Sequence, residues 1–275
     1  MTNTYQPFEG RVAIVTGGSR GIGRAIAELL AARGADLAIA DVQLEAAQKT
    51  ASVINQVLAE RDSANLILAT GNSMLTFLSA LSLEKTVDWS RVSIFHMDEY
   101  LGMSPDHPAS FRRFLREKIV DKVTPHAFYG INGQSDRPEA ECQRYTELLR
   151  KYPADLCCLG IGENGHLAFN DPPFAEFDDL RWVKIVALAE KSRLQQVGEG
   201  HFEDLTSVPT HAITLTIPAL LSAKQVIGIV PEMRKAAAVS QALTGPISTS
   251  CPASILRRSP NACLLLDRDS ASKLS

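Results

Sequence analysis

The sequence has no long apolar run, no surplus of positive charge and no paired-cysteine or paired-histidine spacing. Each absence removes a class of function. Nothing approaches the roughly 20 consecutive apolar residues that span a bilayer as a helix. The opening residues, MTNTYQPFEGR, show no basic segment leading into an apolar one, so no secretory leader is read and a cytoplasmic location is expected. Lys and Arg total 28 against 31 Asp and Glu, a net charge of -3. That balance gives no electrostatic case for nucleic acid or an anionic membrane surface, whereas a small phosphorylated ligand needs only a local positive site. The five cysteines (Cys142, Cys157, Cys158, Cys251, Cys263) are odd in number, form no C-x-x-C and sit mostly in apolar text. They read as reduced core thiols. The six histidines show neither H-x-x-x-H nor H-E-x-x-H, so no metal is expected.

What is present is the text of an α/β protein. At 275 residues and 45% apolar content the chain can bury a full core. Short β-branched or apolar runs alternate with longer amphipathic ones throughout. This predicts a three-layer α/β/α, Rossmann-like fold with a mostly parallel sheet covered on both faces. Expected strands include Arg11 to Thr16, Asp36 to Ala40, Leu66 to Thr70, Val92 to His96, Trp182 to Leu188, His211 to Ile217, Ala223 to Val230 and Ala262 to Leu266.

The most informative stretch is Leu159 to Pro172, LGIGENGHLAFNDP. It follows the apolar run Asp155 to Leu159 and holds Gly160, Gly162 and Gly165 around Asn164, His166 and Asp171. Open α/β sheets bind small molecules in loops past the carboxyl ends of strands. A histidine with a carboxylate to orient it is a proton carrier near neutral pH. The stretch reads as an acid/base site; the alternative is a glycine-rich turn whose histidine is merely hydrogen-bonded.

Two family resemblances follow. Val15-Thr16-Gly17-Gly18-Ser19-Arg20-Gly21-Ile22-Gly23 resembles the opening turn of short-chain dehydrogenase/reductases. The resemblance covers about residues 9 to 50. It implies a pyrophosphate cradle at Gly17, Ser19, Arg20, Gly21, Ile22 and Gly23, with Asp41 as the ribose-binding acid, and so an NAD(P) site as an alternative. That family's Tyr-x-x-x-Lys is missing: none of Tyr100, Tyr129, Tyr145 or Tyr152 has Lys four residues on. The reductase machinery is therefore absent, and the βαβ unit serves as scaffold.

From about residue 50 to 270 the chain resembles the glucosamine-6-phosphate deaminase/isomerase family. The resemblance rests on Ala69-Thr70-Gly71-Asn72-Ser73, Phe95-His96-Met97-Asp98-Glu99-Tyr100, Gly160 through Pro172, and Met233-Arg234-Lys235-Ala236. Asp106-His107-Pro108 and Ala212 to Thr216 agree with it. It implies that Thr70, Gly71, Asn72 and Ser73 wrap a phosphate, with Lys235 and Arg193 as cationic candidates. Asp98 would take the C2 proton. His166 would open the sugar ring, oriented by Asp171, with Asn164 lining the same site. No metal or redox cofactor is then required, and a homo-oligomer is an expectation of the family. Glu99 would either assist at the site or serve a helix start, and His107 would either reach a ligand or stabilise a turn.

Departures are visible. Asn72-Ser73-Met74 stands where the family commonly has G-T-P, Asp171 where Glu is common, and Gly198 near the place of an Arg that some members use for phosphate. The two resemblances together suggest a chimera. Residues 1–45 would be a reductase-like βαβ segment packed into the same sheet as a deaminase-like domain at 46–275. Three functions follow as expectations: an enzyme releasing ammonia from an amino-sugar phosphate, a 6-phosphogluconolactonase-like hydrolase, and a non-catalytic chimera that binds a nucleotide.

Overall fold

The computed structural model describes residues 7–8, 11–16, 21–40, 42–172, 174–198 and 200–274. The chain begins with β1 (Val12–Thr16), α1 (Gly21–Ala32) and β2 (Asp36–Ala40). β1 and β2 pair in parallel from Val12 opposite Asp36 to Thr16 opposite Ala40. They form a two-stranded sheet of their own. The expectation of one continuous sheet is thereby corrected. The pair closes its ladder locally across α1, and the chain then leaves for the main body.

That body starts with α2 (Val42–Glu60). Ala46, Ala47, Ala51, Ile54 and Leu58 fall on one helical stripe and are buried in the core, while the opposite face carries charge. The elements that follow are β3 (Ala64–Leu68), α3 (Leu75–Ser82), β4 (Val92–His96), β5 (Asp98–Tyr100), α4 (Phe111–Leu115) and α5 (Asp121–Val123). β6 (Ala127–Tyr129), α6 (Pro138–Lys151), β7 (Leu156–Leu159), β8 (Val183–Ala187) and α7 (Glu190–Gly198) come next. The chain closes with β9 (His211–Leu215), α8 (Ile217–Leu221), β10 (Gln225–Val230), α9 (Ala236–Thr244) and β11 (Ala262–Leu266).

Six strands make a parallel sheet in the order β11-β10-β7-β3-β4-β6. Every residue of β3, β4 and β7 is buried, as expected of parallel strands covered on both faces. The chain builds outward from β3 through β4 to β6, then returns to the other side of β3 with β7 and continues through β10 to β11. The order therefore reverses between β3 and β7, and the crevice beyond their carboxyl ends is the place where such sheets take ligands.

A second, antiparallel sheet has the order β5-β9-β8. The runs at 182–188 and 211–217 thus belong outside the parallel sheet. Only Met97 separates β4 from β5, so one continuous stretch ends the first sheet and opens the second. Asp98 pairs with Thr214 there. A small aromatic core of Tyr100, Phe111, Phe169 and Phe202 fills the space behind this junction, with ring centroids 4.9–5.7 Å apart among the packed pairs.

Tyr145 pins the junction from α6. Its buried hydroxyl accepts from the His96 backbone N–H at 3.1 Å and reaches the carbonyls of His96 at 2.8 Å and Tyr129 at 2.9 Å. Tyr145→Phe leaves those backbone groups without their partner. The expected loss is about 1–3 kcal/mol in urea unfolding; an unchanged midpoint would show that the hydroxyl contributes nothing.

Candidate active site

The loops at the carboxyl ends of β3, β4, β7 and β10 meet over one cleft. Thr70, Gly71, Asn72 and Ser73 line it beside Met97, Asp98, Gly162, His166, Gln195, Gln196, Arg234 and Lys235. Residues scattered over the sequence, Asp98, His166, the 70–73 turn and Lys235, are thus brought to one place.

The 70–73 turn follows β3 and enters α3 through a short 3-10 turn at Asn72–Met74. Gly71 has φ +99°, a conformation that glycine adopts without strain. Asn72 lies inside the 3-10 turn and is not among the described residues with positive φ, so asparagine fits where the family commonly has glycine. The first N–H groups of a helix lack intrahelical acceptors and make this turn suited to an anion. Gln43, buried at the start of α2, donates its side-chain amide to the Ser73 carbonyl and holds the turn from behind.

His166 stands on the loop after β7. Gly162 is needed there for close approach, because a Cβ at that position would lie 2.2 Å from His166 Cε1. His166 Nδ1 is 2.7 Å from Asn164 Oδ1 and 3.2 Å from Asp171 Oδ1. The Asn164 amide donates in turn to Asp171 Oδ1 at 2.8 Å, and Ser192 Oγ donates to the same oxygen at 2.6 Å. Asn164 thus contacts both the histidine and the carboxylate, which also meet each other directly. It lines an adjoining hollow, while Asp171 is fully buried behind the ring. Burial pulls the Asp171 carboxyl upward, but His166, Ser192 and Asn164 together outweigh it and hold the group below its usual range.

Asp98 is the opposite case. Burial, aided by the neighbouring Glu99 charge, pushes its carboxyl up to about 8. Its side chain lines the cleft, while Glu99, on the other face of the strand, points away. Glu99 accepts from the backbone N–H groups of Tyr100, Phe111 and Arg112 at 3.0–3.2 Å and from Ser110 Oγ at 2.7 Å. It caps α4, which decides its role in favour of the helix start. His107 Nδ1 accepts from the Ala109 N–H at 3.1 Å, as a turn-stabilising residue does.

Arg193 departs from expectation. Its guanidinium donates to the carbonyls of Leu205 at 2.6 Å and Val208 at 2.9 Å, fixing the loop after α7, and it does not line the cleft. Gln195 and Gln196, two and three residues further along α7, line it instead and carry no sequence signal. Arg234 is also in the lining. Of the reductase-like turn, Gly17, Ser19, Arg20 and Asp41 lie outside the described residues; Gly21, Ile22 and Gly23 begin α1. Among the described residues no cluster of three or more His, Cys, Asp or Glu could hold a metal ion, and no helix is long and apolar enough to cross a membrane.

The fold and cleft define a doubly wound α/β protein with a cleft at its switch point, lined by a carboxyl, an imidazole and a turn that enters a helix. Residues 38–265 match the family described as glucosamine-6-phosphate isomerases/6-phosphogluconolactonase, and the chain belongs to that family. It is 36% identical over 239 residues to the glucosamine-6-phosphate deaminase of Exiguobacterium sibiricum, covering 84% of this chain and 92% of that protein. A Bacillus cereus glucosamine-6-phosphate deaminase is 36% identical over 233 residues, covering 84% and 86%. Among solved structures, a monomeric glucosamine-6-phosphate deaminase superposes with a TM-score of 0.79 at 28% identity, covering 95% of this chain and 99% of its own. A 6-phosphogluconolactonase from Shewanella baltica gives 0.67 at 22% identity, covering 82% and 91%, and shares the fold. The 95% span reaches into the first βαβ unit, so the comparisons lend no support to a grafted N-terminus.

The Asp98 carboxyl has a stability consequence of definite sign. Its folded pKa of about 8 lies above the unfolded value near 3.9, so the folded state holds the proton more tightly. The stability it contributes is fully present below about pH 4 and is lost as pH rises through about 8. Asp98→Asn removes that slope. The variant is expected to gain on the wild type between pH 5 and pH 8.5 in chemical unfolding. A constant difference across that range would contradict a raised Asp98.

Proposed function

We propose that the protein converts an amino-sugar phosphate, glucosamine 6-phosphate or a close analogue, into the ketose phosphate with release of ammonia. The observation that carries the reading is the meeting of Asp98, His166, the 70–73 turn and Lys235 in one cleft. The relatives at 36% identity bear the deaminase name, which supports it.

The phosphate sits at the backbone N–H groups of the turn and against Lys235. This places the sugar between Asp98 and His166. His166 moves a proton between O1 and O5 and opens the ring, with Nδ1 held by Asn164 and Asp171 so that Nε2 faces the substrate. The Asp98 carboxylate takes the C2 proton of the open aldehyde. The resulting enolamine is protonated at C1 and becomes a 2-imine; water adds, and the C2–N bond breaks to give the 2-ketose and ammonia. No step needs an oxidant, so the reductase-like turn has no part in the reaction. Likeness to 6-phosphogluconolactonases is one of fold at these identities, and a nucleotide-binding scaffold gains no support.

The reaction is tested by measuring ammonia release from glucosamine 6-phosphate. A base must be ionised, so kcat/KM is expected to rise with pH and level off above about 8. Asp98→Asn is expected to lower kcat/KM by about 10²–10⁴-fold while the protein still folds. A wild type that releases no ammonia from any of several amino-sugar phosphates would refute the reading.

A further inference from the structure

We infer that Arg234 is a second phosphate-binding cation of this cleft, held at its mouth by Glu163 until a phosphomonoester takes its place. The inference rests on the sugar-phosphate reading above and adds a residue to it. A phosphomonoester carries close to two negative charges at neutral pH. Among the described lining residues, lysine or arginine charge comes from Lys235 and Arg234 alone. Lys235 is buried, and Arg234 is partly exposed beside it on the turn entering α9.

Arg234 is already aimed by carboxylates. Its Nε donates to Glu232 Oε2 at 2.5 Å, and its Nη1 to Glu163 Oε1 at 3.3 Å. Glu232 is one of the few described non-glycine residues with positive φ, at +88°, and its N–H is fixed by Asp267 Oδ2 at 2.9 Å. Such strain persists where surrounding contacts hold it and gathers at ligand clamps. The Glu163 contact is long and partly exposed, with about a third of each side chain open to solvent, so it contributes little. An arginine fork on a phosphate is shorter, charge-assisted and often bidentate. Exchange of Glu163 for phosphate is therefore favourable, with the shorter Glu232 contact keeping the guanidinium oriented.

Inorganic phosphate is the probe, titrated calorimetrically into the full chain so that turnover plays no part. Arg234→Ala is expected to weaken phosphate binding at least tenfold. Glu163→Gln, which removes a competing negative charge, is expected to tighten it several-fold. In assays of the proposed reaction, Arg234→Ala should raise KM with kcat changed much less. Equal phosphate affinity in wild type, Arg234→Ala and Glu163→Gln would overturn the role of Arg234 and leave the sugar-phosphate site standing. A wild type that binds no phosphate would overturn both. Thermal unfolding within a few degrees of wild type establishes that each variant is folded, and the opposite signs expected of the two substitutions separate the proposal from a general loss of structure.

Discussion

The reversal of strand order between β3 and β7 is the constraint on which the rest of the molecule depends. Neighbouring parallel strands send their connections to opposite faces only where the order turns back, and a crevice is left between the departing loops. Here those loops are the 70–73 turn and the 160–171 segment. β4 and β10 flank them and add Asp98 and the 233–235 turn. Each piece alone is an ordinary strand end. The topology makes four such ends into one cleft.

Electrostatics then separates two buried aspartates. Asp171 accepts from Ser192 and Asn164 and lies beside His166, and these partners hold it ionised despite burial. Asp98 has only the dry junction of two sheets and the like charge of Glu99, and its proton is retained to about pH 8. A pair of carboxyls driven apart in this way suits the proposed acid/base chemistry, one member fixed in charge and the other poised to exchange. The β4–β5 link is what allows it. The strand leaves the parallel sheet at Met97, so Asp98 emerges at the cleft, while the following residue turns inward to cap α4.

Much of this was legible in the sequence, for reasons that are local. An apolar run ending in glycine and small polar residues marks a strand tip, so the sequence alone places the 70–73 and 160–171 loops. The direction of a long side chain could not be read. Arg193 and Arg234 carry the same charge, yet three-dimensional neighbours send one to the carbonyls of Leu205 and Val208 and the other to the cleft. The same holds for the acids at 98 and 99. Alternation along a strand says they face opposite ways, but which one meets the cleft depends on α4 offering its N–H groups to Glu99. The antiparallel sheet was missed because its strands pair across more than 100 residues between β5 and β9. The glycine-rich pattern at 17–23 is local in the same way: it matches a dinucleotide cradle, while the flanking strands β1 and β2 form a two-stranded sheet of their own.

The proposed reaction requires a single small ligand to touch all four strand ends at once. A crystal structure with a non-reacting open-chain amino-alditol phosphate tests this most directly. The phosphate is expected against the N–H groups of residues 71–73 and the Lys235 ammonium, with C2 beside the Asp98 carboxyl and the O1 end near His166. A ligand bound with its phosphate away from that turn, or with Asp98 and His166 on different sides of an empty cleft, would contradict it.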